Sequence, residues 1–191
     1  TKNSAHLQFL KLECSTDYRI LLQPVKQENV DSLFLYKMSR WNISHTTDID
    51  APIDAVWTAL IDIDDWEWNQ WTKLKAAEAS KGTPGKLMAS YEGDDKWESF
   101  DFTFGEVSEE DHILNWLGSV GPNGCLFTGH HTMQLEPLDS QKTRLKHTET
   151  FGGLLPRLGL GLPYKILDRN YKFMNFELKK HVENKHKKGP H

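Results

Sequence analysis

His131, His147 and Glu149 are side chains of the kinds that transfer protons or hold the polar end of a ligand. They fall on two runs, Cys125–Leu135 and Thr143–Phe151, that alternate apolar and polar residues with the period of half-buried strands. A loop around Pro137, Leu138 and Asp139 closes the two runs as a hairpin. Pairing Met133 with Leu145 sets His131 opposite His147, Gly129 opposite Glu149 and Phe127 opposite Phe151. One face then carries those eight residues. The other carries threonines with His130, Gln134, Arg144 and Lys146, which is a wetted surface.

The inward face is therefore apolar except for two imidazoles and a carboxylate. An ionised glutamate alone in an apolar wall is costly, so Glu149 must be paired, solvated or protonated. Cross-strand neighbours lie roughly 5 Å apart, which brings both histidines within reach of it. Such a group has several uses. Its members can simply satisfy one another, or point at the polar end of a ligand, as a few convergent polar groups in one pocket commonly do. Glu149 or a histidine can act as general acid or base, its pKa tuned by apolar surroundings. Two histidines and a carboxylate are also the donor types that zinc or iron takes, but hairpin spacing alone is weak support, and no metal or other cofactor is expected.

The elements that must position this group run strand, two helices, six strands and a long helix. Residues 41–49 alternate as a strand, and Ala51-Pro52 opens a helix with Asp54 in its first turn and Ile53, Val56, Trp57, Leu60 and Ile61 as its apolar stripe. Asp62–Trp71 reads as a second short helix or tight turn. Strands follow over Thr72–Ala79, Lys86–Tyr91, Trp97–Val107 and Ile113–Gly118, separated by turns at Lys81–Gly85, Gly93–Asp95 and Ser108–Asp111, before the hairpin. Phe100, Phe102 and Phe104 share one face of the fourth strand. Gly152–Pro163 is a loop, and Pro163–Glu183 a helix with Leu167, Tyr171, Met174, Leu178 and Val182 on one side. The fold class is α+β, a curved antiparallel sheet and a long C-terminal helix enclosing an apolar pocket. Candidate lining residues beyond the hairpin are Trp68, Trp71, Trp116, Tyr171, Met174 and Leu178. Core packing is the commoner role for Trp68 and Trp71, and Trp116 is placed inward with Leu114.

Totals narrow the classes. With 191 residues, 38% hydrophobic and 11% aromatic, including seven Trp and nine Phe, one sizeable core fits and two do not. A net charge of −4, from 23 basic and 27 acidic residues spread along the chain, gives no footprint for nucleic acid or anionic lipid. No apolar run approaches the ~20 residues that span a bilayer, and the start lacks the layout of a secretory signal. Cys14 and Cys125 make neither a disulfide framework nor a CxxC motif, so a reducing, cytoplasmic setting is expected. Residues 1–37 show no sustained period. The domain is expected to begin near Met38, preceded by a poorly ordered or non-native extension, and residues 184–191 to form a flexible tail.

Taken in order, Ala51-Pro52-x-x-x-Val56-Trp57, Asp62, Trp68-Asn69, Gly129-x-His131, Thr143-x-x-x-His147-x-Glu149-x-Phe151-Gly152 and Phe173–Lys179 resemble the SRPBCC or START-like superfamily, and within it the polyketide cyclase/dehydrase-type proteins. The resemblance covers residues 41–183. It implies a helix-grip fold, with a seven-stranded antiparallel sheet wrapped around the C-terminal helix, two short helices after the first strand, and a cavity between sheet and helix. It also implies binding of a small hydrophobic molecule such as a lipid, sterol, polyketide or aromatic compound, by a monomer or weak dimer. A cyclase or dehydratase using Glu149, His147 or His131 is the alternative it leaves open. Pocket residues vary widely among such proteins, so no catalytic role carries over.

Overall fold

A computed structural model describes residues 42–158 and 163–187. The expected domain start near Met38 and the 1–37 extension lie outside them. Strand β1 (Asn42–Ile49) leads into helix α1 (Ile53–Ile61) and a 3-10 helix (Ile63–Trp68). Then come β2 (Thr72–Ala76), β3 (Pro84–Ala89), β4 (Glu98–Ser108), β5 (Ile113–Val120), β6 (Phe127–Asp139) and β7 (Lys142–Gly152). One turn of helix, α2 (Leu154–Arg157), precedes the long α3 (Tyr164–Lys187). The strands form one antiparallel sheet in the order β1-β7-β6-β5-β4-β3-β2. This is the expected α+β architecture. Helix α3 runs to Lys187, past the expected end at Glu183, and α2 interrupts the expected loop 152–163.

Period decides most of this. In α1 the stripe buries Val56, Trp57 and Leu60. In β4, Phe102 and Phe104 are buried while Asp101 and Thr103 face water. Phe100 shares their face but is only half-buried. In β6 and β7 burial alternates residue by residue from Gly129 to Leu135 and from Thr143 to Glu149.

The hairpin register differs from expectation by two residues. Met133 pairs with His147, His131 with Glu149, Gly129 with Phe151, and Leu135 with Leu145. The strands run on to Asp139 and Lys142, leaving only Ser140 and Gln141 as the turn, with a bulge between Pro137 and Asp139. The expected loop around Pro137 is strand instead. Pairing of β6 with β5 ends at Gln134, so the missing N–H of Pro137 falls where one edge is free. Because side chains alternate with period two, a slip of two leaves each residue on its expected face.

Helix α3 crosses the sheet and is tied to it along its length. Asn170 Nδ2 donates to the carbonyls of Ser90 and Tyr91 at 3.3 and 3.1 Å. Asn175 Nδ2 donates to Thr47 Oγ1 at 3.2 Å, Lys179 Nζ to the Asp48 carbonyl at 2.6 Å, and the Asp50 N–H to Glu183 Oε1 at 2.8 Å. The main core between helices and sheet includes Leu60, Trp66, Phe104, Leu114, Met174 and Leu178. A second, smaller apolar cluster joins Ile43, Phe151 and Tyr171, flanked by Phe127, Tyr164 and Leu167. No helix among the described residues is long and apolar enough to cross a membrane.

Candidate functional site

Between the two apolar clusters lies a buried polar chain. Direct pairing sets His131 beside Glu149, with Nδ1 3.3 Å from Glu149 Oε2. His131 Nε2 meets His147 Nε2 at 2.6 Å, and His147 Nδ1 meets the side-chain oxygen of Asn175 at 2.6 Å. Tyr171 donates its hydroxyl proton to Glu149 Oε2. Both contacts of the carboxyl therefore fall on Oε2. No hydrogen bond among the described residues reaches Oε1. That oxygen stands over Gly129, where an added Cβ would lie 2.8 Å from it, so the glycine makes its space.

Aromatic rings fix the imidazoles. Trp116 stacks on His131 with centroids 3.9 Å apart and planes at 13°. Tyr171 stacks on His147 at 4.8 Å and 25°. Burial dominates the electrostatics. It pushes Glu149 up to about 7, against the opposing pull of the Tyr171 hydrogen bond and the nearby histidines. It brings His131 down to about 3 and His147 well below the ordinary histidine range, so both rings are neutral at pH 7. Tyr171 is pushed well above its ordinary value by burial and the adjacent carboxyl, and stays a phenol.

His131, His147, Glu149 and Tyr171 thus come together, and Trp116 is buried against them. His131, His147 and Glu149 touch through hydrogen bonds, while Phe127 and Phe151 face each other at 5.9 Å near Tyr171. Met133, Leu145, Met174 and Leu178 are fully buried in the main core. Trp68 and Trp71 sit apart from the polar chain. Trp68 packs on Trp66 and His181, and Trp71 stacks on Phe173 at 5.5 Å beneath the Arg169 guanidinium. Sequence reasoning missed Asn175 and Thr47. Asn175 had a signal, since it interrupts the apolar stripe four residues after Tyr171 and three before Leu178. Thr47 had none beyond its inward parity on β1.

The donor set suits proton chemistry better than metal binding. Oε1 has no protein hydrogen-bond partner among the described residues, whereas both imidazoles engage both of their nitrogens with protein partners. No cluster of three or more metal-binding side chains is found among the described residues.

Residues 40–183 match the family described as polyketide cyclase / dehydrase and lipid transport. The chain belongs to that family. Solved structures carry the same fold at low identity. An aromatase/cyclase, ZhuI from Streptomyces sp. R1128, superposes with a TM-score of 0.53 at 16% identity, covering 75% of this chain and 93% of that one. A START superfamily protein from Mycobacterium smegmatis gives 0.54 at 14%, covering 76% and 96%. The protein TTHA0849 from Thermus thermophilus gives 0.55 at 17%, covering 74% and 96%. At these identities the likeness is one of fold: the START-type helix-grip arrangement of seven antiparallel strands and a long C-terminal helix. No protein of curated function matches the chain in sequence. Membership in the polyketide cyclase/dehydrase and lipid transport family supports hydrophobic ligand binding or cyclase activity in general, without choosing between them.

Proposed function

We propose that the protein binds a small apolar molecule, a lipid, sterol, polyketide or aromatic compound, against the concave face of the sheet beneath α3, with its polar end on Glu149. One observation carries this reading. A buried carboxyl places both of its protein contacts on one oxygen and turns the other, over Gly129, to no partner among the described residues. The Glu149 side chain is 11% exposed and Oε1 is not among the buried atoms left without a partner, so this oxygen opens onto accessible space where a ligand's polar end would replace water. The apolar remainder would lie on the Phe127–Phe151–Tyr171 cluster next to it. Each buried methylene contributes ~0.8 kcal/mol, so a two-ring molecule reaches micromolar binding without further contacts. Native mass spectrometry of protein taken directly from cells should show a lipid- or polyketide-sized added mass, and a naphthalene dye should bind saturably at one site, quenching Trp116. Protein of bare mass that binds the dye only non-saturably would overturn the reading.

A second reading, acid–base catalysis of the cyclase or dehydratase type, is favoured by the elevation of Glu149 to about 7 beside an imidazole and a phenol. A carboxyl poised there exchanges protons in either direction near neutrality. On this reading Glu149→Gln abolishes turnover, a loss of at least ~100-fold, while affinity for apolar ligands changes little. Turnover retained in that variant would remove the carboxyl from the chemistry.

A further inference from the structure

The hydrogens along the polar chain follow from what each partner can do. Asn175 commits its amide N–H to Thr47 Oγ1 and turns its carbonyl oxygen to His147 Nδ1 at 2.6 Å. A carbonyl only accepts, so Nδ1 carries the hydrogen. A neutral imidazole has one N–H, so His147 Nε2 is a lone pair and accepts from His131 Nε2 at 2.6 Å. His131 is then left with a lone pair at Nδ1, which faces Glu149 Oε2 at 3.3 Å. An ionised carboxylate opposite a lone pair is repelled, so this polarity calls for the neutral acid. The neutral acid resolves this by carrying its proton on Oε2, directed at His131 Nδ1, and Oε1 over Gly129 is then a carbonyl oxygen that only accepts.

The reverse polarity is also complete. With Glu149 ionised, His131 Nδ1–H and the Tyr171 hydroxyl both donate to it, His147 Nε2–H donates to His131, and His147 Nδ1 becomes an acceptor. That arrangement requires the Asn175 amide to turn over and present its N–H to His147, while the Thr47 hydroxyl changes from acceptor to donor. Both arrangements satisfy every member, and no mixture of the two does.

We propose that Asn175 is a positioning residue that sets the tautomers of His147 and His131 so that neutral Glu149 holds its proton on Oε2 and presents Oε1 as an acceptor to a ligand hydroxyl, and that loss of this proton reverses the whole chain at once. The ligand class that follows is an apolar alcohol or phenol. This rests on the reading that a ligand's polar end lies on Oε1. Titratable neighbours come from every side. From β1 comes His45, whose Nε2 lies 2.9 Å from Asp168 Oδ1 of α3. From β6 comes His130 on its opposite face, and from α3 Tyr171. The segment after β3 adds Tyr91, which burial pushes up to about 12. Both phenols stay protonated near neutrality, so His45→Gln and His130→Gln serve as the controls that must leave the switch in place.

The test is ¹⁵N imidazole spectroscopy of the whole, unliganded protein, read alongside the ¹³C signal of the Glu149 carboxyl as pH is raised. On the acid side His147 carries its hydrogen on Nδ1 and His131 on Nε2. Both should exchange tautomer together at the midpoint of the carboxyl, near 7. Asn175→Asp, which can only accept, should hold the first pair of tautomers across the same range. Tautomers that stay fixed while Glu149 titrates, or an Asp variant that exchanges as the wild type does, would overturn the relay. The ligand half is read by comparing 2-(hydroxymethyl)naphthalene with 2-ethylnaphthalene a unit below and a unit above the midpoint. A preference of ~10-fold for the alcohol, the contribution of one hydrogen bond, should be present at both pH values, because Oε1 accepts in either state of the carboxyl. Coupled exchange with no alcohol preference at either pH would overturn the ligand assignment and leave the relay standing. An alcohol preference without coupled exchange would overturn the relay alone.

Discussion

Between pH 4.5 and about 7 the wild-type protein should lose roughly 3 kcal/mol of stability relative to its Glu149→Gln variant. An unfolded chain holds a glutamate at its ordinary value of 4.5, whereas burial in the fold raises Glu149 to about 7. The fold therefore favours the protonated form. That stabilisation is fully present below 4.5, is lost as pH rises through the window, and is flat above it. His131 and His147 act in the opposite sense. Burial lowers them, so their contribution is complete above the ordinary value of 6.5 and is lost as pH falls. The two trends overlap in the wild type, which is why the difference from a variant with both histidines intact is the quantity to measure. Urea unfolding of both proteins at stepped pH supplies it. A difference that does not change across the window would show that Glu149 is not in the low-dielectric setting described here.

The largest loss from a single truncation should come from Trp66→Ala, at about 3–5 kcal/mol. Trp66 sits in the 3-10 helix at 2% exposure, fills the main core, and satisfies its indole N–H on the Leu60 carbonyl at 3.1 Å. Its ring meets Trp116 edge-on at 6.1 Å, and Trp116 in turn stacks on His131. Truncation leaves a cavity beneath Trp116 and a core that relaxes only in part. Trp68→Ala is the comparison. That ring is only half-buried, between Trp66 and His181, and its indole N–H makes no hydrogen bond among the described residues, so its loss should be clearly smaller. Chemical denaturation with unchanged m-values would establish both. A Trp68 variant less stable than the Trp66 variant would contradict the assignment of Trp66 to the core.

What the chain announced in advance was whatever depends on local period. The stripes of α1 and α3, the Phe102–Phe104 face and the inward side of the hairpin are all written as alternation or helical spacing, and the fold realises them. Register was not written that way. It turns on whether Pro137 closes a loop or sits in an edge, and the end of the β5–β6 pairing at Gln134 decides that, through a strand that lies well before the proline in sequence. The error was even-numbered, so His131, His147 and Glu149 stayed on the right side and ended closer together than expected. Asn175 and Thr47 escaped for a different reason. Their roles exist only once α3 has crossed onto β1, a contact between residues 128 positions apart. Trp68 and Trp71 show the converse. Aromatic content marks burial, but the direction of each ring is set by what packs beneath it.

Tyr171 and Asn175 are separated by one turn of α3, and each grips an opposite end of the same imidazole–carboxyl ensemble. The helix is thus a keystone: lifting it would undo both grips in one movement and leave two imidazoles and a carboxyl without their helix partners. The stitches at Asn170, Lys179 and Glu183 would have to break as well. Displacement of this helix from the sheet is accordingly opposed along most of its length.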